Sequence, residues 1–181
     1  MHRLARSFAL LLLALTLTGR AGLAIDATAS GATRATVAKA CGDGGQAYVR
    51  KLLRLHNRQR RSHGLQGLRM NGRLSRAART HACEMVSHHY FGHASPNGAG
   101  PADRVAATGY GRGCSWWMDE NILTWSPALS PREAMTKWLQ SATHRANILG
   151  GRWRDVGIAA IPRSTRGSGL TLVVEFGWRS R

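Results

Sequence analysis

The sequence predicts an α+β sandwich. Two observations carry that reading: amphipathic helical periods come first along the chain, and the last apolar runs are two β-prone segments separated by a turn-rich linker. A third is the order in between. One further β-prone stretch and two more helical stretches lie before the final pair, so strands do not alternate regularly with helices as in a wound parallel sheet.

Residues 45–62 place Tyr48, Val49, Leu52, Leu53 and Leu55 on one helical face and Arg50, Arg54, Arg58 and Arg61 on the other, with Gly64 to end the helix. His56 and Asn57 fall near the inward side, where such residues make core hydrogen bonds. Residues 74–90 form a second helix, with Leu74, Ala77, Ala78, His81, Ala82, Met85 and Val86 on one stripe. The turn formers from Tyr90 to Gly98 predict a loop. Pro101 opens a short helix over 101–108 and Gly109 closes it. Residues 120–124 are β-prone. Ser130-Pro131-Arg132-Glu133 is a capping box with proline at the first helical position, so a helix runs from there to Gln140 with Ala134, Met135 and Trp138 inward. Residues 143–149 add a turn or two of helix. The runs 156–161 and 170–176, joined by 162–169, make an antiparallel hairpin.

The start of the chain reads as a targeting segment. Arg3 and Arg6 precede the apolar run Phe8–Leu17, and Gly22-Leu23-Ala24 offers small residues for cleavage. The expected organisation is a signal peptide over 1–24, a flexible leader over 25–44 and one folded domain over 45–181. Localisation is expected to be secreted, either extracellular or periplasmic. The apolar run is about half of a bilayer span, and no other segment is apolar enough to cross, so the chain does not read as a transmembrane protein.

Charge is the dominant compositional fact. Twenty-six Lys and Arg face nine Asp and Glu, a formal +17, and removing residues 1–24 takes three arginines and leaves +14. Such a protein adheres to anionic partners such as lipid head groups or cell-envelope polymers. The arginines are spread over several elements and no nucleic-acid-reading motif is present, so no specific nucleic acid is expected. Trp116, Trp117, Trp125 and Trp153 are many tryptophans for loops, and would suit an apolar rim beside a basic surface. Three cysteines, Cys41, Cys83 and Cys114, allow one disulfide and leave one thiol. All three pairings are open, and Cys41–Cys83 would staple the leader to the second helix. A monomer is expected.

Three residues stand at the ends of predicted elements: His93 in its Gly/Pro loop, Glu120 opening a strand, and His144 opening a short helix. Two histidines and a carboxylate can hold zinc or another divalent cation, or act as general acid and base. Ser95 and Thr143 adjoin the histidines but lack a nucleophile-elbow context.

The stretch from Leu52 to Gly177 resembles a CAP domain, the fold of cysteine-rich secretory proteins, antigen five and pathogenesis-related proteins, in its short bacterial branch. The likeness rests on an ordered set: His56-Asn57-Arg58; Leu74-Ser75-Arg76-Ala77-Ala78 with His81-Ala82; Phe91-Gly92-His93-Ala94-Ser95-Pro96; Asp103-Arg104 and Gly109-Tyr110; Glu120-Asn121-Ile122; Trp138-Leu139-Gln140-Ser141; His144 to Leu149; Val156 to Ala159; and Phe176-Gly177. The resemblance implies a three-layer α-β-α sandwich with a small, mainly antiparallel sheet and a surface cleft. In that family the cleft is lined by two histidines and two acidic residues, and the histidines bind zinc in some members. His93, Glu120 and His144 carry over. Asp103 is the expected fourth, with a structural Asp103–Arg104 ion pair as its alternative reading. Sterol or lipid binding is also associated with the family. The expected function is therefore ligand or anionic-surface binding without catalysis. The alternative is a metal-assisted hydrolase using His93, Glu120 and His144.

Overall fold

The computed structural model describes Cys41, residues 45–163 and residues 169–180. The expected signal peptide, nearly all of the leader and most of the hairpin linker lie outside the described residues.

Five helices and four strands follow in the order α1 (Gln46–Arg61), β1 (Arg69–Met70), α2 (Gly72–Ser87), α3 (Pro101–Ala107), β2 (Trp116–Trp125), α4 (Pro131–Gln140), α5 (Ala142–Ile148), β3 (Asp155–Pro162) and β4 (Leu170–Arg179) among the described residues. The strands form one mixed sheet in the order β1-β3-β4-β2. β3 and β4 are the expected antiparallel hairpin, β2 adds antiparallel to β4, and the two-residue β1 lies parallel to β3.

Local chemistry accounts for the boundaries. At the end of α1, Leu65 N–H donates to Arg60 C=O and Gly64 N–H to Arg61 C=O, with Gly64 at φ 68°. That is a Schellman stop, and it needs a left-handed residue. Asn71 caps α2 by accepting from the N–H groups of Arg73 and Leu74. Ser130 and Glu133 complete the expected box at the start of α4.

The period-2 alternation of the strands sorts the helices into two layers. Val156, Ile158, Leu172, Val174 and Phe176 face α1, α4 and α5 in the larger core, with Leu52, Trp138 and Ile148. Ile122, Ala159, Ile161 and Val173 face α2, with Ala78, Ala82 and Met85. The sandwich is thus α-β-α, as expected. On the α2 side the approach is very close: a Cβ at Gly157 would sit 2.1 Å from the Leu74 carbonyl carbon.

Two sequence expectations change here. β2 is ten residues long and starts at Trp116, so Trp116, Trp117 and Trp125 belong to a strand and not to loops. Their alternation with polar residues was obscured by the Trp-Trp doublet. Trp153 is a core residue, 4% exposed. The inward row of α1 also contains Arg60, fully buried, whose guanidinium donates to the carbonyls of Gln66, Ile148 and Gly150. Arg60, which the outward row Arg50, Arg54, Arg58 and Arg61 does not include, is thus an internal clamp.

Candidate functional site

β2 is an edge of the sheet, and the two helical layers meet around it. Glu120 lies at its centre, not at its start as the sequence suggests. Adjacent strand residues point to opposite faces, so Glu120 reaches toward α2 and α3 while Asn121 reaches toward α5.

Glu120 is the anchor of the first side. Its Oε1 lies 2.7 Å from His93 Nδ1 and its Oε2 accepts from Arg104 NH2 at 3.0 Å. Arg104, from α3, also donates to the His93 carbonyl at 2.8 Å, the Ala99 carbonyl at 3.0 Å and Ser95 Oγ at 3.2 Å. One buried guanidinium thus fixes both the backbone and the carboxylate that orient His93. The carboxylate fixes a proton on His93 Nδ1 and leaves Nε2 uncommitted. The His93 side chain is 53% exposed over a Glu120 that is 2% exposed, so the ring stands at the surface on a buried ionic base.

Asn121 ties in the second side. Its Nδ2 donates to the His144 carbonyl at 3.0 Å. Asn147 of α5 donates to Asn121 Oδ1 at 3.0 Å and to the Glu120 carbonyl at 3.3 Å, satisfying the free edge of β2. Two neighbouring residues of one edge strand therefore gather His93 from one layer and His144 from the other. The half-buried His144 ring is held below the ordinary imidazole range by burial and by the nearby His93. His144 is thus neutral near pH 7 and able to accept a proton or a cation.

Beneath the rim lies an ionic layer that sequence reasoning missed. His81 Nε2 is 2.9 Å from the Gly92 carbonyl and 3.9 Å from Glu120 Oε2. Glu84 accepts from Ser95 Oγ at 2.5 Å and from Tyr90 OH at 3.0 Å. Burial pushes Glu84 upward, but those two hydrogen bonds and the neighbouring His81 and Arg104 outweigh it and hold the carboxyl below its usual range. Glu175 pairs directly across the ladder from Glu120 and is fully buried. Burial first and the Glu120 charge second push Glu175 well above the carboxylate range, so it carries a proton. The signal for Glu175 was a single acid inside the apolar run from Leu172 to Phe176; for Arg104 it was the Asp103–Arg104 pair.

Asp103, the expected fourth site residue, makes a helix cap instead. It is exposed, and its Oδ2 accepts from the Gly100 N–H at 2.9 Å, which caps α3. A residue three positions into a helix points back at the helix start, while Arg104, one position on, turns inward and pairs with Glu120. Ser95 is buried with its hydroxyl on Glu84, and Thr143 is exposed. Among the described residues no three His, Cys, Asp or Glu side chains converge to hold a metal ion. Glu120, buried and bonded to His93 and Arg104, acts here to orient the His93 ring.

Comparison with known proteins gives a consistent picture. The family model "CAP: Cysteine-rich secretory protein family" matches residues 53–176. The uncharacterized protein YkwD of Bacillus subtilis (strain 168) is 30% identical over 115 residues, covering 64% of this chain and 43% of that protein, so the chain spans less than half of its curated relative. An outer surface protein of Borrelia burgdorferi superposes with a TM-score of 0.66 at 18% identity, over 76% of this chain and 96% of that one. An extracellular protein containing an SCP domain, from Bacillus anthracis strain Ames, gives a TM-score of 0.57 at 24% identity, over 70% and 39% of the two chains. At these identities the structural likenesses speak to the fold.

Proposed function

The chain belongs to the cysteine-rich secretory protein (CAP) family, and from that premise we propose that it is an exported binding domain that captures a ligand at the cell envelope through the His93–His144 cleft, without catalysis. The single observation that carries the reading is the burial of Glu120, whose side chain is 2% exposed beneath His93. A general base needs an oxygen facing the reacting water, and the Glu120 carboxylate is buried, with its oxygens turned to His93 and Arg104. The arrangement holds an imidazole still; it offers no free carboxylate beside it. The metal-assisted hydrolase reading with Glu120 as its base is disfavoured for the same reason.

Two imidazoles, one backed by a carboxylate, suit zinc or a similar divalent cation. His93 and His144 would hold it, and its chemistry there would be to bridge the cleft to an anionic or carbonyl-bearing ligand. A broader surface supports attachment to anionic lipid or envelope polymer. The formal charge is +17, Trp117 is 58% exposed beneath the Arg152 guanidinium, and Trp125 is 41% exposed beneath Lys137. Such aromatic–cation pairs suit an interface. Export is supported by the N-terminal charge and apolar pattern, and among the described residues no helix is long and apolar enough to cross a membrane. A monomeric binder without nucleic-acid specificity completes the reading.

The test is a metal analysis of protein purified without chelators, paired with unbiased lipid extraction and an ester- and amide-hydrolysis screen. Bound cation or lipid with no turnover is expected. Turnover abolished by His93→Ala and His144→Ala would overturn the non-catalytic reading.

A further inference from the structure

Helix α2 carries a cysteine that the cleft does not use. Cys83 is fully buried, in the α2 side of the core with Ala82, Met85, Ile122 and Val173. Cys41 comes from a different part of the chain, four residues ahead of Gly45, which caps α1. It nevertheless packs against that same cluster, and its thiol is within hydrogen-bonding reach of Cys83. Cys114 lies elsewhere, in the loop before β2, where its thiol donates to the Gly111 carbonyl at 3.4 Å.

We propose that Cys41 and Cys83 form an intramolecular disulfide in the oxidised protein and that Cys114 remains the free thiol. Three pairings are open in the sequence; the packing of Cys41 onto the cluster around Cys83 selects one.

The chemistry has a direction. Burial first, and the adjacent Cys41 second, push the Cys83 thiol far up, so Cys83 is a poor first nucleophile. Cys41 is half-buried and reaches solvent. Its thiolate attacks the disulfide of an oxidant, a thiol–disulfide oxidoreductase or oxidised glutathione, and displaces one oxidant sulfur as a thiolate. The Cys83 thiol, giving up its proton, then attacks the Cys41 sulfur and releases the second oxidant thiolate. The two cysteines lose two electrons and two protons, the oxidant disulfide gains the electrons, and one S–S bond is exchanged for another. The product closes a loop of about forty residues and ties the chain ahead of α1 to α2, with an expected rise in Tm of about 10 °C.

The experiment uses the full chain equilibrated in an oxidising glutathione buffer, alkylated under denaturing conditions and digested with trypsin without reduction. Cleavage after Lys39, Arg50, Arg79, Arg104 and Arg112 puts the three cysteines on separate peptides. The expected result is one linked pair containing Cys41 and Cys83, with Cys114 alkylated. Cys83→Ala disturbs the core, so the companion variant is Cys41→Ser at the periphery. Its Tm should lie about 10 °C below that of the oxidised wild type and should not respond to reductant. Three alkylated cysteines, a bridge to Cys114, or a reductant-sensitive Tm in Cys41→Ser would each overturn the proposal.

Discussion

Arg104 and Glu175 set the electrostatics of the cleft from opposite sides of Glu120. Arg104 makes four hydrogen bonds from a side chain 3% exposed, so its loss strands a buried carboxylate and frees the His93 loop. Arg104→Met should lower unfolding free energy by about 3–5 kcal/mol in urea titration, and Arg104→Lys should not restore it, because a single ammonium cannot reproduce the planar fork. Glu175 acts with the opposite sign. Its carboxyl is raised in the folded state, so the folded protein binds more protons than the unfolded chain between the ordinary and the raised value. Stability from this group is complete below the ordinary carboxyl range and falls as pH rises through that window. Glu175→Gln removes the slope. Between pH 5 and the raised value, wild type should lose about 1.4 kcal/mol per pH unit relative to the variant, read from denaturant midpoints. A constant difference between the two curves would mean that Glu175 is not protonated in the fold.

At the scale of elements, the cleft depends on how closely α2 lies on the sheet. The helix backbone crosses β3 at Gly157, where an added Cβ meets backbone atoms of Leu74 and Ser75 that cannot rotate away. Gly157→Ala should cost about 3 kcal/mol or more by thermal unfolding and should shift the His81 and His93 ring resonances, because α2 and its following loop must lift. Helix stripes, the capping box and the β3–β4 hairpin were legible in the sequence because each is written in local periodicity or capping chemistry. β1 was not, since two residues carry no period. The true start of β2 was hidden by Trp116-Trp117. Of the proposed rim residues, His93 and His144 stood out at the ends of predicted elements, whereas Glu120 lies mid-strand and was picked out by family likeness. Their buried supports were not legible: His81, Glu84, Arg104 and Glu175 come from three different elements, and only tertiary packing assigns a partner to each. The Asp103 assignment shows the same limit, because helical phase at one residue decides between cap and cleft.

For the whole molecule, charge and cleft make separable contributions to binding. A chain that loses Arg3, Arg6 and Arg20 with the proposed signal peptide would carry +14 and attract anionic membranes without contact specificity, so adhesion to vesicles containing phosphatidylglycerol should fall steeply as salt shortens the Debye length below about 10 Å. Adhesion that survives high salt would assign the attachment to Trp117 and Trp125. The cleft should respond instead to the state of its two imidazoles. The central claim, that His93 and His144 act together at one rim around Glu120, is tested most directly by following the histidine ring resonances by NMR while zinc is added to protein purified without chelators. The account predicts that the His93 and His144 signals move together and saturate at one equivalent, while the buried rings of His56 and His81 stay in place. Signals from His93 and His144 that move at different zinc concentrations, or do not move at all, would contradict it.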